Sequence, residues 1–471
     1  RLHKPKHFLR GNFNILNSTT SGPNTPNTLR TAYNITQTGL DGSGTSVGII
    51  LDTAPDINEV KRWASYYNLP TPNVNVVGYG GNTSLEANLD VQMVLTAAPA
   101  TNIRYYVANS GSDGGVNFSY LLNSIKQAIY DQVNVISNSW GYCESYFDPQ
   151  TRSNYHSVFQ NAAALGIPIL FSSGDSGIFQ CSGFSNSIAG EGSFPAVDDL
   201  VTAVGGTKLL RDSNTNAWGD EFGWSCNDVN DNTTCIQAKG GSSGGGVSQY
   251  SARPYFQTNI NPTSESGNIS YDSTSPNRVI PDISLDADPV SGVLIFQNNC
   301  DPTVNCPLRG GTSASTPLLA GVIALASQKI GGQVGGINPF IYANCSGSFW
   351  CYDVTNGYNG VNAKQGWDYL TGLGSLKDVN TFIQAFTDPA WQTYTSANSP
   401  LPSDYINVIT LDKDGSKWIG TYGGGLAHFD GTNWTIYTTA NSGLPSNDIH
   451  AITIDNDGTK WISTAYGGVA H

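Results

Sequence analysis

Short apolar runs and longer amphipathic stretches alternate through residues 28–388. Val47-Gly48-Ile49-Ile50-Leu51 predicts a buried strand, and 103–107, 133–137 and 167–172 read the same way. Between them, 56–67, 86–97, 118–131 and 151–165 predict helices. Strands of about five residues separated by helices of ten or more make an α/β domain, with a parallel sheet covered on both faces. Ligands of such sheets bind beyond the carboxyl ends of the strands, so the residues following each strand are the first candidates for chemistry.

From residue 389 to 471 the texture changes. Trp391-Gln392-Thr393-Tyr394-Thr395 returns as Trp434-Thr435-Ile436-Tyr437-Thr438, and Asp414-Gly415-Ser416-Lys417-Trp418-Ile419 as Asp457-Gly458-Thr459-Lys460-Trp461-Ile462, both 43 residues later. That period, with short strands and Asp-Gly turns, suits a small all-β segment of propeller blades, and it resembles the two-component-regulator type of repeat. Two blades do not close a ring of four to eight. The chain is therefore expected to be truncated, a fusion, or completed by another chain.

Composition narrows the function. The 471 residues carry a net charge of −14 and only 12% charged side chains, which argues against a partner held by phosphate contacts. No run of about 18 apolar residues is present to span a membrane. The start, Arg1-Leu2-His3-Lys4, with Met93 as the sole methionine, reads as a processed form. Residues 1–27 are expected to be a surface tail or the remnant of a pro-segment.

Eight cysteines lie at 143, 181, 226, 235, 300, 306, 345 and 351. None shows the C-x-x-C spacing of a zinc site, and 226/235, 300/306 and 345/351 suit small-loop disulfides of an oxidising compartment. Sequons at Asn17, Asn34, Asn82, Asn117, Asn232, Asn268, Asn344 and Asn433 agree with secretory passage as a glycoprotein. The expected setting is secreted, or an acidic compartment like a lysosome or vacuole.

Gly310-Gly311-Thr312-Ser313-Ala314-Ser315-Thr316-Pro317 precedes an apolar helix, Leu318 to Ala326. Ser313 there is either an ordinary cap residue or a nucleophile approached over bare glycine backbone. A serine needs a base. Asp52 follows the first strand, but His156 sits mid-helix and the other histidines lie in the tail or the repeats, so none is placed to serve. Glu86 and Asp90, four apart on one helix, are either a solvated acidic face or a dyad sharing a proton. Asp175, in Ser172-Ser173-Gly174-Asp175-Ser176-Gly177 after a strand, either shapes a turn or, protonated, donates to an oxyanion.

Taken in order, Glu-x-x-x-Asp, the Ser-Gly-Asp-Ser-Gly turn and Gly-Thr-Ser-Ala-Ser-x-Pro resemble the sedolisins, the serine-carboxyl peptidases that include tripeptidyl peptidases. Thr28–Asn34, Ser137–Gly141, Ser243–Ser248 and Arg278–Asp282 agree. The resemblance covers about 28–385 and implies a subtilisin-like fold. It also implies Ser313 as nucleophile, Glu86 as base, Asp90 as its partner and Asp175 as oxyanion donor. Ser139, Trp140 and Gly141, with Ser243, Gly244, Gly245 and Gly246, would bind the substrate, the glycines as an exposed edge pairing with its backbone. One Ca2+ site is implied, with carboxylates from Asp353 and Asp368 and carbonyls from Val354, Lys364 and Gly366. A Cys143–Cys181 disulfide would tie two loops of the site if their strands are neighbours.

The expectation is thus an acid-active peptidase for peptides or unfolded proteins. A secreted binding or adhesion protein, inert and displaying the repeats, is the alternative; a histidine-dependent subtilisin would instead work at neutral or alkaline pH.

Overall fold

The computed structural model describes residues 19–20, 23–78, 82–108, 117–181, 190–225, 241–262, 276–386, 394–397, 399–412, 416–430, 433–455 and 457–471. The chain packs as two compact units, Arg1–Thr387 and Asp388–His471. The Cys226/Cys235 pair, the tail residues 1–18 and Trp391, Gln392 and Thr393 of the first repeat's motif lie outside the described residues.

The first unit is built on an eleven-stranded mixed sheet. Its parallel core uses β1 (Ser46–Leu51), β2 (Asn73–Val77), β3 (Asn102–Val107), β4 (Val135–Asn138), β5 (Ile169–Ser172), β6 (Thr202–Asp212), β7 (Ile283–Asp286) and β8 (Ser375–Leu376). Across the sheet the order is β2-β3-β1-β4-β5-β6-β7-β8, every neighbour parallel. The expected strand at 133–137 begins later because Val133 N–H is taken by Ala128 O as the preceding helix closes.

Successive strand residues sort to opposite faces, as the two-residue repeat demands. Ile49, Tyr105, Val135, Leu170 and Val204 join one core; Ile50, Tyr106, Ile136, Phe171 and Ala203 join the other. Over the first face lie α1 (Pro26–Ala32), α2 (Ile57–Tyr66), α3 (Leu85–Ala97) and, counted last, α6 (Thr312–Ile330); over the second lie α4 (Phe118–Tyr130) and α5 (Pro149–Ala164). This is the doubly covered sheet expected from the sequence.

Helix α6 starts six residues before the apolar run that announced it, so Ser313 is its second residue. It is buried almost all round. Gly321 lets it approach α3: a Cβ there would lie 2.6 Å from Val94 O and 2.7 Å from Ala97 Cβ. Val94 and Gly321 each stand eight residues after Glu86 and Ser313, respectively, so this close crossing keeps the two N-terminal turns side by side.

In the second unit, Ile406–Leu411, Lys417–Thr421, Leu426–Phe429 and Trp434–Tyr437 form one antiparallel sheet. Ile449–Ile454, Lys460–Thr464 and Gly468–Ala470 form another. Both repeats follow the same strand register.

Candidate active site

The order of strands reverses beside β1, whose neighbours are β3 and β4, and ligands of open α/β sheets bind at such a switch. Ser139 follows β4, and Asp175 follows β5. Gly311, at φ +91°, turns the chain into α6; a Cβ there would meet Asp175 Oδ2 at 2.7 Å, so both the conformation and the clearance call for glycine. Thr312 and Ala314 are buried while Ser313 keeps partial exposure. Pro317, inside α6, has no N–H to give the Ser313 carbonyl four residues back.

Glu86 enters from α3, whose N-cap Ser84 accepts from Ala87 N–H. The Ser313 hydroxyl hydrogen-bonds toward the Glu86 carboxyl. One turn on, Asp90 is fully buried, and its Oδ1 accepts from Ser139 Oγ at 2.6 Å. Opposite, Asp175 Oδ1 accepts from Thr312 N–H and Thr312 Oγ1, both at 2.8 Å, so it caps α6 across 137 residues of sequence. Two acids on one helix face need not be solvated: Ala87 through Ala97 are all buried.

Burial decides the protonation of this group. It lifts Glu86 to about 7, a rise that the Ser313 hydroxyl and the Arg309 charge oppose and the Asp175 charge reinforces. Burial also raises Asp90 well above the usual carboxylate range, and the Glu86 charge adds to it. Asp175 is exposed at its surface, yet the protein atoms crowded around its carboxyl raise it too, against the two hydrogen bonds from Thr312. Glu86 thus meets the Ser313 hydroxyl with Asp90 and Asp175 coupled to it by charge, and all three carboxyls hold their protons more tightly than free acids do.

Tyr105 is a residue of the site that motif reading missed. It lies on β3 in register with Ile49, which is itself in register with Ser137 on β4. Its buried hydroxyl feels the charges of Asp90, Glu86 and Asp52 in that order. Tyr105 OH, Asp90 Oδ2, Glu86 Oε1 and Ser137 Oγ are all buried without a hydrogen-bond partner among the described residues. Only a strand alternation that put Tyr105 on the α3 face could have hinted at it.

His156 is the histidine of the first unit among the described residues. His156 Nδ1 lies 3.0 Å from Asp198 Oδ2 and 3.6 Å from Asp199 Oδ1, on the α5 side of the sheet, and the other described histidines belong to the second unit.

Ser139, Trp140 and Gly141 stand half-exposed at the end of β4, with Trp140 packed edge-on to Phe171. Ser243–Gly246 differs from the open edge that was expected. It is buried, and Gly244 N–H donates to Gly174 O at 2.7 Å while Ser242 N–H donates to Asp175 O at 2.9 Å. A Cβ on Gly245 would lie 1.8 Å from Tyr369 O. The glycines admit the protein's own backbone and hold the Asp175 turn from behind. Cys143–Cys181 ties that turn's far end to the loop after β4, and Cys300–Cys306 and Cys345–Cys351 close small loops.

The expected cation ligands share one loop. Asp353 Oδ2 accepts from Gly366 N–H at 2.9 Å, and buried Asp368 Oδ2 accepts from Lys364 N–H at 3.0 Å. The donor set is all oxygen and carries two carboxylates raised by burial, which is the chemistry a hard cation complements.

The subtilase family model matches residues 74–339, which include Glu86, Asp90, Asp175 and Ser313. The chain belongs to the subtilase family. Within it, the chain is 31% identical to kumamolisin of Bacillus sp. (strain MN-32) over 78% of its length, and 29% identical to sedolisin of Pseudomonas sp. (strain 101) over 71%. It is 27% identical to tripeptidyl-peptidase 1 of Dictyostelium discoideum over 74% of its length. It spans 64% of the length of kumamolisin and 56% of each of the other two. The solved structure of Pseudomonas sedolisin superimposes with a TM-score of 0.66 at 27% identity, covering 79% of this chain and all of that one. These relatives are the serine-carboxyl peptidases that the ordered motifs resemble, and the subtilisin-like fold is the one observed.

Proposed function

We propose that this subtilase is an acid-active serine-carboxyl peptidase that hydrolyses peptide bonds through a Ser313 acyl-enzyme. One observation carries the reading: the Ser313 hydroxyl hydrogen-bonds to the Glu86 carboxyl, with Asp90 a turn behind it, while His156, the described histidine of the first unit, is engaged with Asp198 on the α5 side. As Ser313 Oγ attacks the peptide carbonyl, Glu86 takes its proton and Asp175, protonated, donates to the oxyanion. Glu86 then passes the proton to the leaving amine, and the C–N bond breaks. Water, deprotonated by Glu86, attacks the ester, and Ser313 leaves with its proton restored. Asp90 holds charge with Glu86, and Ser139 orients Asp90. Ser139–Gly141, at the open end of β4, would line the substrate's path.

The competent state keeps Asp175 protonated and leaves one negative charge on the Glu86–Asp90 pair. Raising the pH removes the proton that Asp175 must keep, so activity is expected to peak in acid and fade toward neutrality; the acid limb falls where Glu86 regains its proton, and a resting value raised to about 7 requires substrate binding to bring that carboxyl down. A pH–rate profile on a denatured protein between about pH 3 and 7 checks this, against the ordinary carboxylate value near 4.3. A neutral or alkaline optimum, or an inert protein throughout, would overturn the reading.

Asp353, Asp368 and the carbonyls of Val354, Lys364 and Gly366 would hold Ca2+, whose charge would neutralise the two acids and tie the loop together. Saturating calcium is expected to raise the unfolding free energy by about 2.7 kcal/mol at 100 times its Kd. Thermal unfolding with and without a chelator reads it, and Asp368→Asn should remove the difference. An oxidising environment fits the three disulfides among the described residues, and no helix among those residues is long and apolar enough to cross a membrane. Secretion or delivery to a lysosome-like compartment fits that chemistry.

A further inference from the structure

Asp90 is supported on one side and bare on the other. Its Oδ1 accepts from Ser139 Oγ at 2.6 Å, while its Oδ2 is buried with no hydrogen-bond partner among the described residues. The Tyr105 hydroxyl is in the same condition, and both residues are 0% exposed. A buried polar atom without a partner has lost its hydration and gained nothing in exchange, so native interiors seldom keep one. Phenylalanine would fill this strand position as well as tyrosine does, and it is the hydroxyl that needs a reason.

Position brings the two groups to one corner of the core. Tyr105 stands on β3 opposite Ile49 of β1, and Ile49 stands opposite Ser137 of β4. Tyr105 and Ile49 join the core that α3 covers, with Leu89 and Val91 on either side of Asp90. Ser139, two residues beyond Ser137, reaches Asp90 from the end of β4. Of the charges around the Tyr105 hydroxyl, Asp90 acts most strongly, ahead of Glu86 on the same helix and Asp52 just beyond β1. Asp175 and the exposed Arg309 act on Glu86 itself. Burial, with those acidic charges, holds the phenol well above its ordinary value, so it keeps its proton throughout the acid range and stays a donor.

We propose that Tyr105 is a positioning residue of the dyad, its hydroxyl donating to Asp90 Oδ2 whenever Glu86 and Asp90 share a negative charge. This role rests on the serine-carboxyl mechanism proposed for the site. With Ser139 on Oδ1 and Tyr105 on Oδ2, Asp90 is held from two strands and its carboxylate form is favoured. That support works against the burial that makes both acids keep their protons, and it leaves Glu86 free to accept from Ser313. The donation is effective directly or through one ordered water, to which the buried and unpartnered Ser137 Oγ and Glu86 Oε1 offer further bonds.

Tyr105→Phe keeps the ring and removes only the hydroxyl. The test is the pH profile of kcat for the full chain on one peptide substrate. Without the donor the dyad binds its proton more tightly, so the acid limb is expected to move up by about one pH unit, lowering kcat about tenfold on that side. KM and the alkaline limb, which Asp175 sets, should stay where they are. Replacing Tyr105 with 3-fluorotyrosine, a stronger donor of nearly the same shape, should move the acid limb down; it remains decisive if Tyr105→Phe fails to fold, which thermal unfolding reads. Ser313→Ala separates the two levels of the assignment. If it is inactive while both Tyr105 variants keep the wild-type acid limb, the positioning role is overturned and the mechanism stands. If it cleaves at the wild-type rate, the mechanism beneath the role is overturned.

Discussion

Ser313→Ala is expected to lower the peptidase rate on the order of 10⁶-fold while leaving the fold intact. The expectation follows from how the reacting groups act as one unit: without the hydroxyl there is no acyl-enzyme, and Glu86 has no proton to move. Removing a γ-oxygen from a partly exposed position at the start of α6 costs little packing, so Tm should hold. The site's assignment also predicts that Glu86→Gln falls nearly as far, because an amide cannot accept the serine's proton. A smaller loss, about 10²–10³-fold, is expected for Asp175→Ala, which deletes one oxyanion donor. A Ser313→Ala protein that cleaves at the wild-type rate would remove the nucleophile and every role hung on it.

The second large effect is on stability, and its sign is set by burial. Asp286 is held at about 8, chiefly by burial, with the Asp288 and Glu221 charges adding to it and hydrogen bonds from Leu209 and Asn24 opposing. Glu144 is held at about 7 by burial and the Glu191 charge, against donors from Gln249 and Ser248 and the Arg152 charge. Each carboxyl binds its proton more tightly in the native state than in the unfolded chain. Their stabilisation is therefore complete below about pH 4 and is lost as the pH rises through about 7 and 8. Each unit of displacement is worth about 1.4 kcal/mol, against a typical total of about 5–15 kcal/mol. Thermal unfolding is expected to show a midpoint lower by several degrees at pH 8 than at pH 5. Asp286→Asn should flatten that slope. Equal or higher stability at pH 8 would show that these acids ionise freely in the folded protein.

On the proposed mechanism, acid stability and acid activity would share one cause. Burial raises Glu86, Asp90, Asp175, Asp286 and Glu144 alike, so each holds its proton more tightly than a free acid does.

Much of the site was legible because it is written in short motifs. Glycines before a serine at a helix start, an acid after a strand, and two acids one turn apart each occupy consecutive or near-consecutive positions. Their ambiguity was physical. An i, i+4 acid pair looks the same whether its helix faces water or is buried, since desolvation comes from what packs around it. Asp90 needed Ser139, 49 residues away, and the crossing of α3 and α6 at Gly321 to become a buried partner. The Ser243–Gly246 stretch failed for a related reason: glycine signals that a backbone approaches closely, but not whose. Here it is Gly174 and Tyr369 of the same chain.

By itself, the sequence determined the alternation of strands and helices, because side-chain period is a local property of each element. It also determined two small-loop disulfides, Cys300–Cys306 and Cys345–Cys351, whose partners are held near by a short tether. Only the tertiary structure decided that Glu86, Asp90, Asp175 and Ser313 meet and that Tyr105 faces them. Proximity across hundreds of residues depends on how whole elements pack, and with it come the desolvation and the charge coupling that turn ordinary acids into a proton-holding site.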